Sequence, residues 1–92
     1  MTDTGSDGGG GRGSFVLYTT TTCGPCIRLK QRLDEMGITY DEVNVENDAE
    51  ASRWVASVNH GDRVVPTLLF RDGSWLTNPS AQQVADHLAL MT

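Results

Sequence analysis

Apolar positions along the chain form short runs whose spacing switches repeatedly between a strand-like and a helical period. Phe15-Val16-Leu17-Tyr18 is a continuous β-favouring run after a glycine-rich stretch, and it predicts a buried strand. The four threonines at 19–22 predict a turn. From Cys26, the positions Leu29, Leu33 and Met36 recur at helical spacing. Arg28, Lys30, Arg32 and Asp34 lie largely between them, and Gly37 marks the stop. A second short strand is predicted to hold Tyr40, Val43 and Val45, with Asp41, Glu42 and Asn44 as its polar members. Ala51, Trp54, Val55 and Val58 make the apolar stripe of a second helix that begins near Asn47 or Asp48, and Asn59-His60-Gly61-Asp62 closes it as a loop.

Residues 67–70 read as a third strand, Asp72-Gly73 as a hairpin turn, and Trp75-Leu76 as a short fourth strand. For the last helix, Asn78 is predicted to be the N-cap and Pro79 to sit at the first helical position, where a missing N–H costs nothing. Its stripe is Ala81, Val84, Ala85 and Leu88. The order is β-α-β-α-β-β-α, an α/β class. A helix between the first two strands calls for parallel pairing through a right-handed crossover.

With 92 residues the chain supports one domain, since so short a chain cannot divide its apolar residues between two cores. Five of the first eleven residues are glycine, and residues 1–13 offer almost nothing to bury. They predict a disordered leader ahead of a domain at 14–92, native or left by expression or by a misassigned start codon. This segment has neither an apolar core nor a basic cluster, so it does not read as a secretory signal. No apolar run approaches the roughly 20 residues that span a bilayer. A net charge of −5 without a long Lys/Arg run argues against nucleic acid or an anionic membrane as the main partner.

The two cysteines change the picture most. A secreted domain of this size usually carries four or more to staple itself, so a single pair points to the cytoplasm. Cys23 and Cys26 lie three positions apart, a loop too small to constrain the unfolded chain much, and the pair is better suited to chemistry. Placed after a strand and at the opening of a helix, Cys23-Gly24-Pro25-Cys26 is a redox signature. Residues three apart in a first turn face the same way, and the unpaired N–H groups there favour a thiolate. Cys23 is the expected exposed nucleophile and Cys26 the shielded resolving thiol, with Gly24 and Pro25 shaping the loop.

The competing readings are structural or metal-binding cysteines. Zinc needs two further ligands; only His60 and His87 are available, and their spacing matches no finger. An iron–sulfur centre needs a thiol from outside the chain and a second subunit. Arg63 is placed either to meet a substrate carboxylate or simply to be solvated. Trp54 reads as core, Trp75 as partly exposed without a task, and both histidines as inert.

At this point the sequence resembles the glutaredoxin family and, within it, the mycoredoxins of actinobacteria. The matching pieces are Tyr18-Thr19-Thr20, Arg28-Leu29-Lys30, Tyr40-Asp41-Glu42-Val43, Ser57-Val58-Asn59, Arg63-Val64-Val65-Pro66-Thr67, Asp72-Gly73-Ser74 and Leu76-Thr77-Asn78-Pro79-Ser80. The resemblance implies the minimal thioredoxin fold with a four-stranded mixed sheet. It implies a thiol–disulfide oxidoreductase acting on mixed disulfides, with mycothiol or another small thiol as co-substrate and no tightly bound cofactor. It also implies a cis bond before Pro66 that lets Val65 pair with an incoming backbone, and a small-thiol groove at Thr77 and Asn78. The partners implied are a small thiol, protein disulfides and an NADPH-dependent flavoprotein reductase, with the chain acting as a monomer.

Two departures are visible. Gly24-Pro25 is the thioredoxin dipeptide, although Thr22 replaces the tryptophan that precedes a thioredoxin motif. Leu76-Thr77 stands where glutathione-using members carry Gly-Gly. A thioredoxin-type donor of electrons to protein disulfides is therefore the nearest alternative. A scaffold that binds iron–sulfur or a partner through the same turn is an alternative of another class.

Overall fold

The computed structural model describes residues 13–91. Its elements are β1 (Phe15–Thr19), α1 (Gly24–Glu35), β2 (Asp41–Asn44), α2 (Ala49–Val58), β3 (Thr67–Phe70), β4 (Trp75–Thr77) and α3 (Ala81–Leu90), in the order the pattern implied. The strands form one mixed sheet in the order β2-β1-β3-β4. β1 and β2 run parallel with Tyr18 opposite Val43, as a crossover through α1 requires. β3 runs antiparallel to β1 with Leu17 opposite Leu68, and β4 runs antiparallel to β3.

Side chains alternate across a strand, so β1 feeds two cores at once. Phe15 and Leu17 join Leu68 and Phe70 of β3 against Leu29 and Leu33 of α1 and Ala81 and Val84 of α3. Val16 and Tyr18 point the other way, where Val45, Ala51 and Val55 cover them with the half-buried Trp54. Leu17, Leu33, Leu68, Val55 and Val84 are fully buried. Each such side chain contributes about 1.5–3 kcal/mol. α1 and α3 therefore lie on one face of the sheet and α2 on the other.

The helix ends follow local chemistry. α1 stops where Gly37 adopts φ 72°, its N–H donating to Asp34 O while the Ile38 N–H donates to Leu33 O. Met36 is the C-cap and is exposed instead of buried with the stripe. Asp48 caps α2, its carboxylate accepting from the Ala51 N–H at 3.0 Å. The hairpin turn forms around Gly73 at φ 91°.

Further expectations about the path of the chain need correction, and β2 begins at Asp41, so Tyr40 lies just before it. Val45 does not extend β2. It opens a 3₁₀ turn, Val45–Asn47, because the Asn44 side chain accepts from the Glu46 N–H at 2.9 Å and turns the chain out of the sheet. Asn78 does not cap α3. Ser80 does, accepting from the Gln83 N–H at 3.1 Å while Gln83 accepts from the Ser80 N–H at 2.8 Å, a reciprocal box that satisfies two otherwise orphaned donors. Pro79 consequently lies outside the helix, and Asn78 takes φ 49° in the preceding turn.

The segment expected to be a leader lies almost wholly outside the described residues. Residues 1–12 lie outside the described part, but Gly13 is buried. Its N–H donates to Asp41 Oδ2 at 3.3 Å and its carbonyl accepts from Arg71 Nη2 at 2.5 Å. A Cβ there would overlap the Tyr40 backbone. The packed unit therefore includes Gly13.

Candidate active site

Cys23 is the N-cap of α1, with extended backbone at φ −122° and ψ 101°. Its Sγ occupies the place of a capping oxygen and accepts from the Cys26 N–H at 3.1 Å, while its carbonyl accepts the first helical bond from the Ile27 N–H. Gly24 and Pro25 are the first two helical residues, where Pro25 withdraws no needed donor. The two cysteines are joined as a disulfide with Cα atoms 5.2 Å apart. Cys26 is 1% exposed and Cys23 7%. In the bonded state both are buried, Cys23 included, with Cys26 the more deeply covered.

The preceding turn is held by β2 and the turn after it. The Thr21 N–H donates to Glu46 Oε1 at 3.1 Å, and Asn44 Nδ2 donates to Thr21 Oγ1 at 3.0 Å. Hydrogen bonds from the Thr21 hydroxyl and N–H hold the Glu46 carboxyl below its ordinary 4.5, with the nearby Arg63 charge adding to the effect. Arg63 is exposed in its loop, near enough to act on that carboxyl. Deeper in, the buried Thr19 hydroxyl donates to Glu42 Oε2 at 2.8 Å, and Lys30 Nζ pairs with the same carboxylate at 3.0 Å.

Facing Cys23 from β3's entry is the Val65–Pro66 peptide, which is cis. The Val65 carbonyl oxygen lies 3.9 Å from Cys23 Sγ. Pro66 is buried, and its carbonyl accepts from the Asn78 N–H at 2.7 Å. The Val65 N–H has no hydrogen-bond partner among the described residues. Cys23, Val65, Pro66 and Asn78 are thus brought together. Thr77 is turned differently, its hydroxyl donating to Asn59 Oδ1 at 2.6 Å.

Beside the cysteine turn, between α1 and the start of α3, lies a cleft of about 470 Å³ lined by Pro25, Arg28, Arg32, Asn78, Ser80 and Gln82. Arg28 and Arg32 were legible only as polar members of a helix. Their i, i+4 spacing one turn beyond the motif is the signal that puts both on the cleft. His87 also proves to be partnered. Its ring lies 4.2 Å from that of Phe70 and its Nε2 2.8 Å from Ser74 Oγ, far from the cysteines in sequence and in the fold's opposite corner. Among the described residues no three His, Cys, Asp or Glu side chains gather as a metal site would need. No helix among them is long and apolar enough to cross a membrane.

A four-stranded mixed sheet carrying a two-cysteine disulfide at a helix N-terminus, opposite a cis-proline, defines a dithiol redox domain of thioredoxin-like architecture. A glutaredoxin family model matches residues 15–75. The chain is 52% identical over 71 residues to a Mycobacterium tuberculosis protein that carries the name glutaredoxin, covering 77% of this chain and 84% of that one. It is 46% identical over 71 residues to mycoredoxin 1 of Corynebacterium glutamicum, covering 77% and 87%. The glutaredoxin of Archaeoglobus fulgidus superposes with a TM-score of 0.65 at 18% identity, covering 83% of this chain and 86% of that one, a likeness of fold. The chain belongs to the glutaredoxin family, and it is a thiol–disulfide oxidoreductase with a Cys23–Cys26 pair.

Proposed function

We propose that the protein reduces mixed disulfides between proteins and mycothiol, with Cys23 as nucleophile. The observation that supports it most is Cys23 Sγ accepting the Cys26 N–H at the start of α1. A sulfur in that position gains more from a negative charge than from a proton, because the helix N-terminus carries partial positive charge. The 46% identity to a mycoredoxin favours mycothiol as the thiol.

In this reading the Cys23 thiolate attacks the mycothiol sulfur of the adduct. A bond forms from Cys23 Sγ to that sulfur, and the protein thiolate leaves with the electron pair and takes a proton from water. A second mycothiol thiolate then attacks the sulfur held on Cys23, forming mycothiol disulfide and returning the Cys23 thiolate. An NADPH-dependent flavoprotein reductase recycles the mycothiol disulfide. The incoming chain pairs with the free Val65 backbone beside Pro66, while Arg63 and Asn78 flank the adduct and Gly24-Pro25 sets the loop. The protein works as a cytoplasmic monomer without a tightly bound cofactor, and the working domain is the packed unit beginning at residues 13–14.

The Gly24-Pro25 dipeptide and the adjacent Cys26 favour a second reading, reduction of protein disulfides. There Cys23 bonds to the target protein, and Cys26 attacks that bond, closing the observed disulfide and releasing the reduced target. The variant Cys26→Ser separates the two. Turnover of a mycothiol mixed disulfide by Cys26→Ser with mycothiol as reductant is the expected result. Loss of that turnover, together with reduction of the wild type by a thioredoxin reductase, would establish the second reading.

A further inference from the structure

Among the described residues the buried polar side chains are Thr19, Asn59 and Thr67, and the last two are bonded to each other. Asn59 ends α2 as its C-cap and is 8% exposed. Its Nδ2 donates to Val55 O at 2.8 Å and to Thr67 Oγ1 at 3.3 Å, and its Oδ1 accepts from Thr77 Oγ1 at 2.6 Å. The Thr67 hydroxyl donates onward to Val64 O at 2.7 Å. One carboxamide therefore links three separate elements: the last turn of α2, the end of β4 and the start of β3. The chain of donors ends on the carbonyl immediately before Val65.

The turn at residues 64–66 is then fixed on both sides of its centre. Val64 O is held by Thr67 and Pro66 O by the Asn78 N–H, one residue beyond Thr77. Between them the Val65 carbonyl faces Cys23 Sγ and the Val65 N–H is open. A fully satisfied buried network confines its members to one arrangement, whereas a partly satisfied one does not. Every member here is paired to another.

We infer that Asn59 is a positioning residue for the reaction, and that Thr77 acts through it instead of touching substrate. Together they hold the Val65 backbone at the distance and orientation from which it aligns an incoming disulfide with Cys23. This rests on the reading that substrate docks on Val65. Cys23's own thiolate is set by α1 and does not depend on the clamp.

The test compares the full-length wild type, Asn59→Ala, Thr77→Val, Thr77→Ser and the Asn59→Ala/Thr77→Val double variant on a peptide–mycothiol mixed disulfide with mycothiol as reductant. Iodoacetamide alkylation of reduced Cys23 is measured alongside. Thr77→Val removes one hydrogen bond and is expected to raise KM about tenfold, and Asn59→Ala, which removes three, raises it at least as much, with kcat and alkylation rate nearly unchanged in both. Thr77→Ser restores the wild-type KM. The double variant loses no more than Asn59→Ala alone, because the Thr77 bond is already gone once Asn59 is removed. Thr77 lies at the exposed end of β4, so Thr77→Val keeps the test open if Asn59→Ala does not fold. A multiplicative double variant would make Thr77 a direct substrate contact and overturn the inference, as would a fall in kcat and alkylation in step with KM. A wild type inert on the mixed disulfide but active on a protein disulfide would defeat the small-thiol reading alone. The same variants are then scored on that substrate with the same KM pattern expected.

Discussion

The two ends of the sheet are built from the same strands but account for their polar groups differently. At the end where β3 turns into β4, the groups close on each other. The Phe70 N–H donates to Ser74 O, Ser74 Oγ donates to Asp72 Oδ1 at 2.5 Å, and His87 Nε2 lies 2.8 Å from the same hydroxyl. At the other end, where β1 leaves the sheet and β3 enters it, the turns are held as firmly by Glu46, Asn44 and Asn59. Yet the Val65 N–H is left open and a sulfur stands as the cap of α1. In the proposed reading, this open N–H beside the capping sulfur is where an incoming substrate chain bonds.

The strongest challenge to this contrast is chemical. Cys23→Ser is expected to abolish turnover on every disulfide substrate. Ser74→Ala, at the closed end, should leave kcat/KM within about twofold, the ordinary range for a surface change. If Ser74→Ala impairs turnover by more than that, the ends are coupled and the division fails. Next in size, Leu33→Ala should destabilise the fold by about 2–5 kcal/mol in urea denaturation, because Leu33 is fully buried in the core beneath both ends. Gly13→Ala should cost about 1–3 kcal/mol through overlap with the Tyr40 backbone, while the remaining folded protein keeps its wild-type kcat. A neutral Gly13→Ala would contradict that close packing.

The smallest effects are in titration, and they distinguish the ends by residue. The Asp72 carboxyl sits below its ordinary 3.8 because Ser74 donates to it, and Glu46 below 4.5 because Thr21 does. Both titrate lower folded than unfolded. Each therefore adds stability above its ordinary value, and that share is lost as pH falls through the folded one. Carboxyl chemical shifts followed against pH should show Asp72 alone rising toward 3.8 in Ser74→Ala, and Glu46 alone rising toward 4.5 in Thr21→Val. Movement of both in either variant would contradict the local causes assigned here.

Most of the architecture was legible because period and punctuation agreed. Phe15 and Leu17 with Leu29 and Leu33 describe a strand and helix that can only pack together, and Gly37 ends the helix through a backbone conformation few other residues accept. The errors fell where a polar side chain, not an apolar pattern, decides the path. Asn44 turns Val45 out of β2, and the Ser80–Gln83 box displaces Asn78 as cap although Ser-x-x-Gln stood in the sequence. The cysteine motif was plain from spacing. The Asn59 network was not, since it joins residues 8 and 18 positions apart through a sheet register that no local pattern encodes. Arg28 and Arg32 were visible as charges, but the cleft they line exists only once α3 is in place.

The central claim is that Cys23 at the open end carries the reactive thiolate. It is tested most directly by the rate of iodoacetamide alkylation of the reduced protein from acid to alkaline pH, with peptide mapping to assign each site. Cys23 should be labelled first, with a midpoint clearly below the ordinary thiol value of about 8.5, and Cys26 only slowly and at higher pH. Labelling of Cys26 first at neutral pH, or a Cys23 midpoint at or above about 8.5, would contradict the account.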